Sequence, residues 1–581
     1  MNVIYSINGP VIKIKGATDF QIMEMVYVGK DRLLGEVISI NKQFTVIQVY
    51  ESTTGIKPGE PVINTGEPIS LDLGPGLLRN IFDGIERPLQ SIAAKSGNYI
   101  VPGSDVKPLD ESKGWDVTFT CKKGDILTSG DIFATLEETE LIIHKLMVPN
   151  NISGEVIEVQ KNGVYKLRDT LIKLKDESGK VHELNMVQRW PIKTPRPFLK
   201  RKTLSIPLIS GQRVIDTLFP IAKGGTAAVP GGFGTGKTMM QHQFAKWCDA
   251  DIIVYIGCGE RGNEMTQTLE EFKDIVDPKS NKPLIDRTVL IANTSNMPVA
   301  AREASIYTGI TMAEYYRDMG YNVAVMADST SRWAEALREI SGRLEEMPAE
   351  EGFPAYLPSR LSQFYERASH VQNFNGTEGS VSIIGAISPQ GADFSEPVTQ
   401  NTKRFVRCFW ALDKELAYMR HYSAINWNQS YSEYINDLSK WYNKNVGISF
   451  LQNRQKFISI LAQENKLMEI VKLIGKGVLP DDQKLLLEIA RVIRVGYLQQ
   501  NAFHKDDTFV PLNKQLKMME IILYLYKETQ RIINQGKAFS LLSSTNIFEK
   551  IIKIKYDIPN DKLEMFDDYY KLIDDTLRSI R

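Results

Sequence analysis

The pattern of apolar and polar positions divides the chain into four kinds of sequence. Residues 1–70 contain short runs of alternating apolar positions between turn signals, which predicts an N-terminal β-barrel. Residues 111–189 have the same β texture with glycine turns and predict a β-rich insertion. Residues 71–110 and 190–435 alternate apolar strands with helical stretches, as in an α/β domain with a parallel sheet. Residues 436–581 have amphipathic helical spacing and little glycine, which predicts a C-terminal helical domain.

A glycine-rich stretch, Thr226–Thr238, lies where an apolar run ends and a run of helix formers begins. It has the spacing G-x-x-x-x-G-K-[ST], in which glycine torsions let successive N–H groups point at one phosphate. Lys237 can reach the β- and γ-phosphates, and the Thr238 hydroxyl can bind Mg²⁺. The sequence therefore predicts binding of a nucleoside triphosphate. The residues expected to contact the nucleotide here are Gly231, Gly232, Phe233, Gly234, Thr235, Gly236, Lys237, Thr238 and Met239.

Composition narrows the possible partners. The 70 basic and 70 acidic residues cancel, so no global field favours nucleic acid or anionic lipid. The four cysteines form no C-x-x-C pair, which argues against a disulfide framework or a thiolate zinc site. The start lacks a basic n-region, and no apolar run approaches about 18 residues. We therefore expect a cytoplasmic or cytoplasm-facing protein that meets the membrane only through partners.

A second acidic candidate follows the apolar run Asn322–Ala327. Asp328 ends this predicted strand, so its carboxylate would lie at the carboxyl edge of a parallel sheet. At that edge it can hold Mg²⁺ through a water, together with Thr238. A helix cap or turn is the alternative role for a strand-end aspartate.

Glu260 also follows an apolar strand and is flanked by glycines. Hydrolysis of a triphosphate needs a group that orients and polarises water in line with the γ-phosphate, and a carboxylate serves. Glu260 is the candidate for this role. Its neighbour Arg261 could sense the γ-phosphate or fasten Glu260, whereas Glu264 is expected in the first turn of a helix.

The β-rich insertion offers one other chemical possibility. Its pattern resembles a biotinyl/lipoyl-like barrel, which would make Lys145 a carrier lysine. Such lysines lie on an exposed hairpin, whereas Lys145 lies among apolar residues. An interaction surface is therefore the preferred interpretation of the insertion.

Several stretches together resemble the catalytic A subunit of rotary V-type/A-type ATPases. They are Gly231–Thr238, Gly257–Met265, Asp328–Ser341, Pro354–Leu361, Gly391–Thr402 and Ala424–Trp427, and the match covers essentially the whole chain. It includes the long insertion, which the related F-type β subunit lacks. Thr235 stands where many eukaryotic relatives have cysteine, which favours the prokaryotic kind. The resemblance implies a RecA-like nucleotide-binding domain.

The resemblance also implies roles for single residues. Lys237 and Thr238 match the phosphate-loop ligands, Glu260 the catalytic carboxylate, and Arg261 its γ-phosphate neighbour. Asp328 matches the acidic strand end. Adenine would be held by aromatic rings, and Tyr422 and Phe503 match by position, with core packing as the alternative for both. Tyr422 departs from the phenylalanine expected there.

The assembly implied is an A₃B₃ ring around a central rotor shaft, with peripheral stalk subunits, that moves H⁺ or Na⁺. ATP or ADP and Mg²⁺ would be the ligands, and a neighbouring B subunit would supply an arginine finger. The alternatives are a RecA-like nucleic-acid motor, a secretion-system export ATPase and a non-hydrolysing regulatory subunit. The neutral charge argues against the first and the insertion against the second. The intact lysine, threonine, glutamate and aspartate argue against the third.

Overall fold

The computed structural model describes residues 2–16, 19–97, 100–103, 106–278 and 280–580. The chain folds as two compact units, each built from several segments. One unit comprises Met1–Lys202, Gly224–Thr226 and Ala250–Val406, and the other comprises Thr203–Lys223, Ala227–Asp249 and Arg407–Arg581.

The first 202 residues are mostly β. Their helix is α1 (Leu89–Ser96), and their strands are β1 (Ile4–Asn8), β2 (Val11–Lys15), β3 (Glu24–Val28), β4 (Leu33–Ile40), β5 (Phe44–Val49), β6 (Val62–Pro68), β7 (Ser70–Leu73), β8 (Ile81–Phe82), β9 (Trp115–Phe119), β10 (Ile126–Leu127), β11 (Ile132–Glu137), β12 (Ile143–Met147), β13 (Gly154–Val159), β14 (Gly163–Tyr165), β15 (Ile172–Lys175), β16 (Val181–Leu184), β17 (Gln188–Pro191) and β18 (Lys200–Arg201).

An antiparallel barrel opens this unit, with strand order β1-β2-β5-β4-β3-β6. Val3 bridges Pro61, so the first and last strands of the barrel also meet. The core consists of the alternating apolar residues that point inward, among them Ile12, Val26 and Ile47. Closure removes unpaired strand edges, which is how small barrels avoid exposing them.

The insertion consists of two four-stranded sheets, β10-β13-β15-β16 and β12-β11-β9-β14. β7 and β17 pair antiparallel, with Leu73 opposite Gln188. This pairing brings together the strands that flank α1 and the insertion.

The α/β part of the same unit runs from Ala250 to Val406. Its elements are β20 (Ile252–Glu260), α3 (Gly262–Asp274), β21 (Thr288–Thr294), α4 (Val299–Asp318), β22 (Asn322–Asp328), α5 (Thr330–Arg343), α6 (Leu357–Tyr365), β23 (Ser369–Gln372), β24 (Glu378–Ile387) and α7 (Pro397–Lys403), with single 3₁₀ turns at Leu284–Arg287, Glu350–Gly352 and Gln390–Ala392. The two elements that immediately precede this part in the chain are β19 (Thr226–Pro230) and α2 (Lys237–Trp247).

Five strands of this unit run parallel in the order β24-β22-β20-β21-β8. Their residues are buried almost without interruption, as expected for a sheet covered on both faces. The parallel sheet predicted for this part of the chain is present, and the strand predicted at Asn322–Ala327 is β22.

The other unit is mainly helical. Besides β19 and α2 it contains β25 (Cys408–Phe409), α8 (Lys414–Tyr418), β26 (Tyr431–Ser432), α9 (Ile435–Asn445), α10 (Ser449–Ile474), α11 (Asp481–Arg491), α12 (Leu512–Asn534), α13 (Phe539–Ser543), α14 (Ile547–Asp557) and α15 (Phe566–Arg578), with π-helical turns at Val214–Leu218 and Val492–Leu498 and 3₁₀ turns at Lys476–Val478 and Leu563–Met565. β19 pairs parallel with β25, which pairs antiparallel with β26. The helical tail predicted from periodicity is therefore present.

Candidate functional site

The glycine-rich loop lies in the mainly helical unit, between β19 and α2. β19 is buried along its whole length and ends at Pro230, and α2 begins at Lys237. Gly234 and Gly236 have φ values of +76° and +86°, a region in which other residues are strained. The loop therefore has the strand, turn and helix start that a phosphate site needs.

Side chains of the loop fold back onto its own carbonyl groups. Lys237 Nζ donates to the carbonyl oxygens of Gly231 at 2.7 Å and Gly232 at 3.0 Å. Thr235 Oγ1 also donates to the Gly232 carbonyl, at 2.8 Å. These contacts keep the ammonium group over the loop, where a phosphate would accept its protons.

A cavity of about 640 Å³ in the same unit contains both predicted aromatic residues. Gly234, Thr235, Gly236 and Met239 form one wall, and the other lining residues include Leu412, Arg420, His421, Tyr422, Gln499, Gln500, Asn501 and Phe503. The structure therefore brings Tyr422 and Phe503 beside the end of the phosphate loop. The size is that of an ordinary small-molecule site.

The two aromatic side chains differ in environment. Phe503 is 90% exposed, which rules out core packing as its role. Tyr422 is partly buried, and its hydroxyl is buried with no hydrogen-bond partner among the described residues. Burial raises the pKa of this hydroxyl. The exposed ring of Phe503 is available for stacking. The hydroxyl of Tyr422, in contrast, is buried without a hydrogen bond to the described residues.

Glu260 belongs to the other unit and is the last residue of β20. The preceding residue, Gly259, has φ +74°, and a Cβ there would lie 2.7 Å from Arg332 Cβ and 2.9 Å from Arg302 Cδ. Glycine is therefore required by both torsion and space. Burial, then the charges of Asp328 and Glu264, raise the pKa of Glu260 to about 7, while Arg332 opposes this rise.

Asp328 ends β22, the neighbour of β20. Gly257 of β20 lies opposite Asp328 in the parallel register, so both acidic residues are at the carboxyl ends of adjacent strands. Asp328 is buried, and Tyr255 Oη donates to its Oδ2 at 3.2 Å. Burial, and next the charge of Asp328, raise the pKa of Tyr255. The phenol therefore stays protonated and donates the hydrogen bond.

Two arginines near Glu260 have different positions. Arg261 precedes α3, its side chain is 67% exposed, and it forms a long ion pair with Glu264, at 3.9 Å. Arg332 on α5 binds Glu335 at 2.8 Å and is the cation that lowers the pKa of Glu260. Sequence reasoning named Arg261 and missed Arg332, although Arg332 lies only four positions after Asp328.

The oxygen ligands proposed for a metal are a hydroxyl and a carboxylate. Oxygen donors of this kind suit Mg²⁺, which keeps waters and uses substrate phosphates rather than an all-protein cage. Across the ranges the structure covers, no group of three or more His, Cys, Asp or Glu side chains could hold a metal by itself. Thr238 and Asp328 each carry one donor of this kind.

Lys145 is not placed as a carrier lysine. It pairs with Thr135 within the β11–β12 ladder, and its Nζ donates to the Met319 carbonyl at 2.7 Å. An exposed hairpin tip is the position that attachment would need. The structure therefore contradicts the carrier interpretation.

Comparison with sequence families gives the class. The ATP synthase alpha/beta family nucleotide-binding domain matches residues 211–432, and the family's beta-barrel domain matches residues 4–66. Its barrel-sandwich domain matches residues 106–193, and the C-terminal domain of V and A type ATP synthase matches residues 439–541. The fold and the loop thus define a phosphate-loop nucleotide-binding protein of the ATP synthase alpha/beta class, and the predicted fold class is confirmed. The domain boundaries stay a prediction.

Similar proteins narrow the class. The chain is 59% identical over 563 residues to V-type ATP synthase alpha chain 2 of Clostridium tetani, covering 97% of this chain and 95% of that one. It is 56% identical over 573 residues to the V-type ATP synthase alpha chain of Halothermothrix orenii, covering 98% and 97%. The A subunit of the A-type ATP synthase of Methanopyrus kandleri is 52% identical over 580 residues, covering 99% and 98%. The chain belongs to the family of V-type ATP synthase alpha chains and A-type ATP synthase A subunits. The resemblance found in the sequence is confirmed.

A solved structure shares the fold. The ATPase EscN of the type III secretion system of enteropathogenic E. coli aligns with a TM-score of 0.63 and 20% identity, covering 90% of this chain and 100% of EscN. At this identity the likeness concerns the fold alone. No helix of the described part of the chain is long and apolar enough to cross a membrane.

Proposed function

We propose that the chain is the catalytic subunit of a rotary ion-translocating ATPase that binds MgATP and hydrolyses or forms it. The proposal depends on one observation, the environment of Glu260. It is a partly buried carboxylate at the end of a central strand, and its pKa is raised to about 7. A base with that pKa is half deprotonated near neutral pH, where general-base catalysis works best.

The phosphate loop would bind the triphosphate. N–H groups of Gly231–Gly236 and the start of α2 would bind one phosphate, Lys237 would neutralise the β- and γ-phosphates, and Met239 would contact the ribose and base. Tyr422 and Phe503 would hold the base by ring contact. Thr238 and Asp328, the latter through a water, would hold Mg²⁺, which supplies charge neutralisation on the phosphate oxygens when bound.

Glu260 would act on the attacking water. Its deprotonated carboxylate accepts a hydrogen bond from the water and orients the oxygen toward the γ-phosphorus. As the new P–O bond forms, the bond to the β-phosphate oxygen breaks, ADP leaves, and Glu260 takes the proton. Arg261, exposed at the start of α3, would contact the γ-phosphate rather than Glu260.

Membership of the family supports a proposal about the partners. We propose B subunits alternating with this chain in an A₃B₃ ring, an arginine finger from B, a central rotor and peripheral stalks, at the cytoplasmic face of a membrane. The chain alone would hydrolyse slowly, because an arginine supplied by a neighbour is worth about 10³–10⁵-fold in such reactions.

The test uses Glu260→Gln in a reconstituted A₃B₃ ring. The amide keeps the shape of the carboxylate but cannot take the proton, so we expect turnover to fall about 10²–10⁴-fold with MgATP binding unchanged. Glu270→Gln is the matched control, since Glu270 lies further along α3 with an exposed side chain and is expected to leave turnover intact. Turnover that survives Glu260→Gln would reject Glu260 as the base.

A further inference from the structure

A buried arginine lies behind the aromatic cavity. Arg213 has no exposed surface, and every nitrogen of its guanidinium meets the segment from Tyr497 to Asp507. Nε donates to the Tyr497 carbonyl, Nη2 to the Gln499 carbonyl at 2.8 Å, and Nη1 binds Asp507 Oδ1 at 2.5 Å. Asp507 is also fully buried, so the ion pair is shielded from solvent.

The same segment is tied back to the backbone beside Arg213. Gln500 Oε1 accepts the Arg213 backbone N–H at 2.9 Å, and Gln500 Nε2 donates to the carbonyls of Gly211 at 2.9 Å and Asp507 at 2.7 Å. Asp507 Oδ2 accepts the Asn501 N–H at 2.7 Å. The loop is thereby closed on itself and fixed to residues 211–213.

Gly211, which accepts the hydrogen bond from Gln500, is closely packed. Gly211 has φ +72°, and a Cβ there would lie 2.0 Å from the ring of Phe509. Val510 N–H donates to the Gly211 carbonyl at 2.9 Å, beside the contact from Gln500. Two chain segments therefore meet at one glycine.

The fixed loop is a wall of the cavity. Gln499, Gln500, Asn501, Ala502 and Phe503 all line it. The backbone N–H of Gln500 also donates to the Tyr422 carbonyl at 2.8 Å. Gln500 thus joins the segment that carries Phe503 to the segment that carries Tyr422. The backbone N–H of Arg213 binds the Gln500 side chain, and the Arg213 guanidinium binds the carbonyl of the preceding residue, Gln499.

We propose that Arg213 is a positioning residue that sets the affinity of the site for the purine base, without contacting the nucleotide. It holds the 499–503 wall, and so the spacing of the Phe503 and Tyr422 rings, in the binding conformation before the ligand arrives. Preorganisation of this kind raises affinity by removing the cost of ordering the loop. The planar guanidinium fork is required, because a lysine ammonium cannot meet three acceptors in one plane. The inference rests on the proposed nucleotide site.

The test compares ATP with inorganic tripolyphosphate, which lacks the base, by titration calorimetry on the full chain. Arg213→Gln should raise the Kd for ATP about 5- to 150-fold, the range for losing one stacked base contact, and leave the Kd for tripolyphosphate unchanged. Asp507→Asn keeps the side-chain shape and should shift the ATP Kd in the same direction by less. Arg454→Gln is the matched control, because the Arg454 guanidinium also donates to a backbone carbonyl, but to that of Leu218 rather than to one in the segment from Tyr497 to Asp507. It should change neither Kd.

The outcomes separate the two proposals. A wild-type chain that does not bind ATP more tightly than tripolyphosphate would overturn the nucleotide site itself. A wild-type chain with that preference, combined with an Arg213→Gln variant that keeps it or that loses both ligands equally, would overturn the positioning role of Arg213.

Discussion

The phosphate loop and the pair Glu260–Asp328 differ in which part of the residue carries their chemistry, the backbone in the loop and the side chains in the pair. In the proposed function the loop would act through backbone N–H groups and one cation, and it tolerates exposure, since Phe233 at its tip is 85% exposed. The acidic pair acts through side chains whose chemistry depends on burial and on one another's charge. If the proposed roles hold, binding depends mostly on local backbone geometry, whereas catalysis depends on electrostatics that the packed sheet supplies.

On the binding side of this comparison, the largest effect is expected at Lys237. Lys237→Met removes a charged donor to the phosphates, and we expect the Kd for MgATP to rise about 10- to 150-fold, as for loss of a hydrogen bond to a charged group. Equilibrium titration of the full chain measures it. Lys246→Met, at the other end of α2 and over the Trp247 ring, is the control and should bind normally. An unchanged Kd in Lys237→Met would remove the ammonium from the phosphate site.

A smaller effect should appear in the pH profile. Because the base must be deprotonated, kcat/KM of the assembled enzyme should rise with pH through about 7, the pKa of Glu260. Arg332 lowers that pKa, so Arg332→Gln should move the acid limb to higher pH, by about half a pH unit to one pH unit, with rates equal well above it.

The control for this shift is another arginine of α5. Arg338 lies over the Phe353 ring, and Arg338→Gln should leave the limb in place. A limb that stays near pH 7 in Arg332→Gln would mean that another group limits the rate at acid pH.

The smallest effect concerns Tyr422. Its buried hydroxyl lacks a partner among the described residues, and an unsatisfied buried polar group costs about 1–3 kcal/mol. Tyr422→Phe should therefore raise the free energy of unfolding, by about 1 kcal/mol after partial relaxation, with the Kd for ATP unchanged. Denaturant unfolding measures the first quantity and titration the second. Tyr422→Ala, which also removes the ring, should weaken ATP binding; a Tyr422→Phe variant less stable than wild type would show that the hydroxyl is satisfied.

The same contrast explains what the sequence could predict. The phosphate loop was readable because backbone torsions such as those of Gly234 and Gly236 appear directly as glycine spacing. Asp328 and Glu260 were readable because each follows an apolar strand. Arg213 was not, because its partner Asp507 lies 294 residues later and the contact exists only after packing. Arg332 influences Glu260 across two different elements, so no local pattern marks it.

For the fold, too, local sequence patterns predicted the elements, whereas contacts between distant segments could not be predicted. The strands of the barrel and of the parallel sheet were predicted from period-two runs and continuous apolar runs, and the tail helices from their amphipathic spacing. The position of the Lys145 side chain was settled by packing, since its acceptor is the Met319 carbonyl just after α4.

The insertion is attached to its unit by buried polar contacts rather than by a tether. His144 lies 2.7 Å from Glu138 and 2.9 Å from the Tyr315 hydroxyl of α4, and Tyr316 donates to Glu138 at 3.0 Å. The β7–β17 pair holds the flanking strands together, so a shorter connection could close the chain geometrically. Deleting the insertion would expose the rings of Tyr315 and Tyr316, which are buried in the present structure. A variant that lost the insertion would therefore also need a new surface on α4.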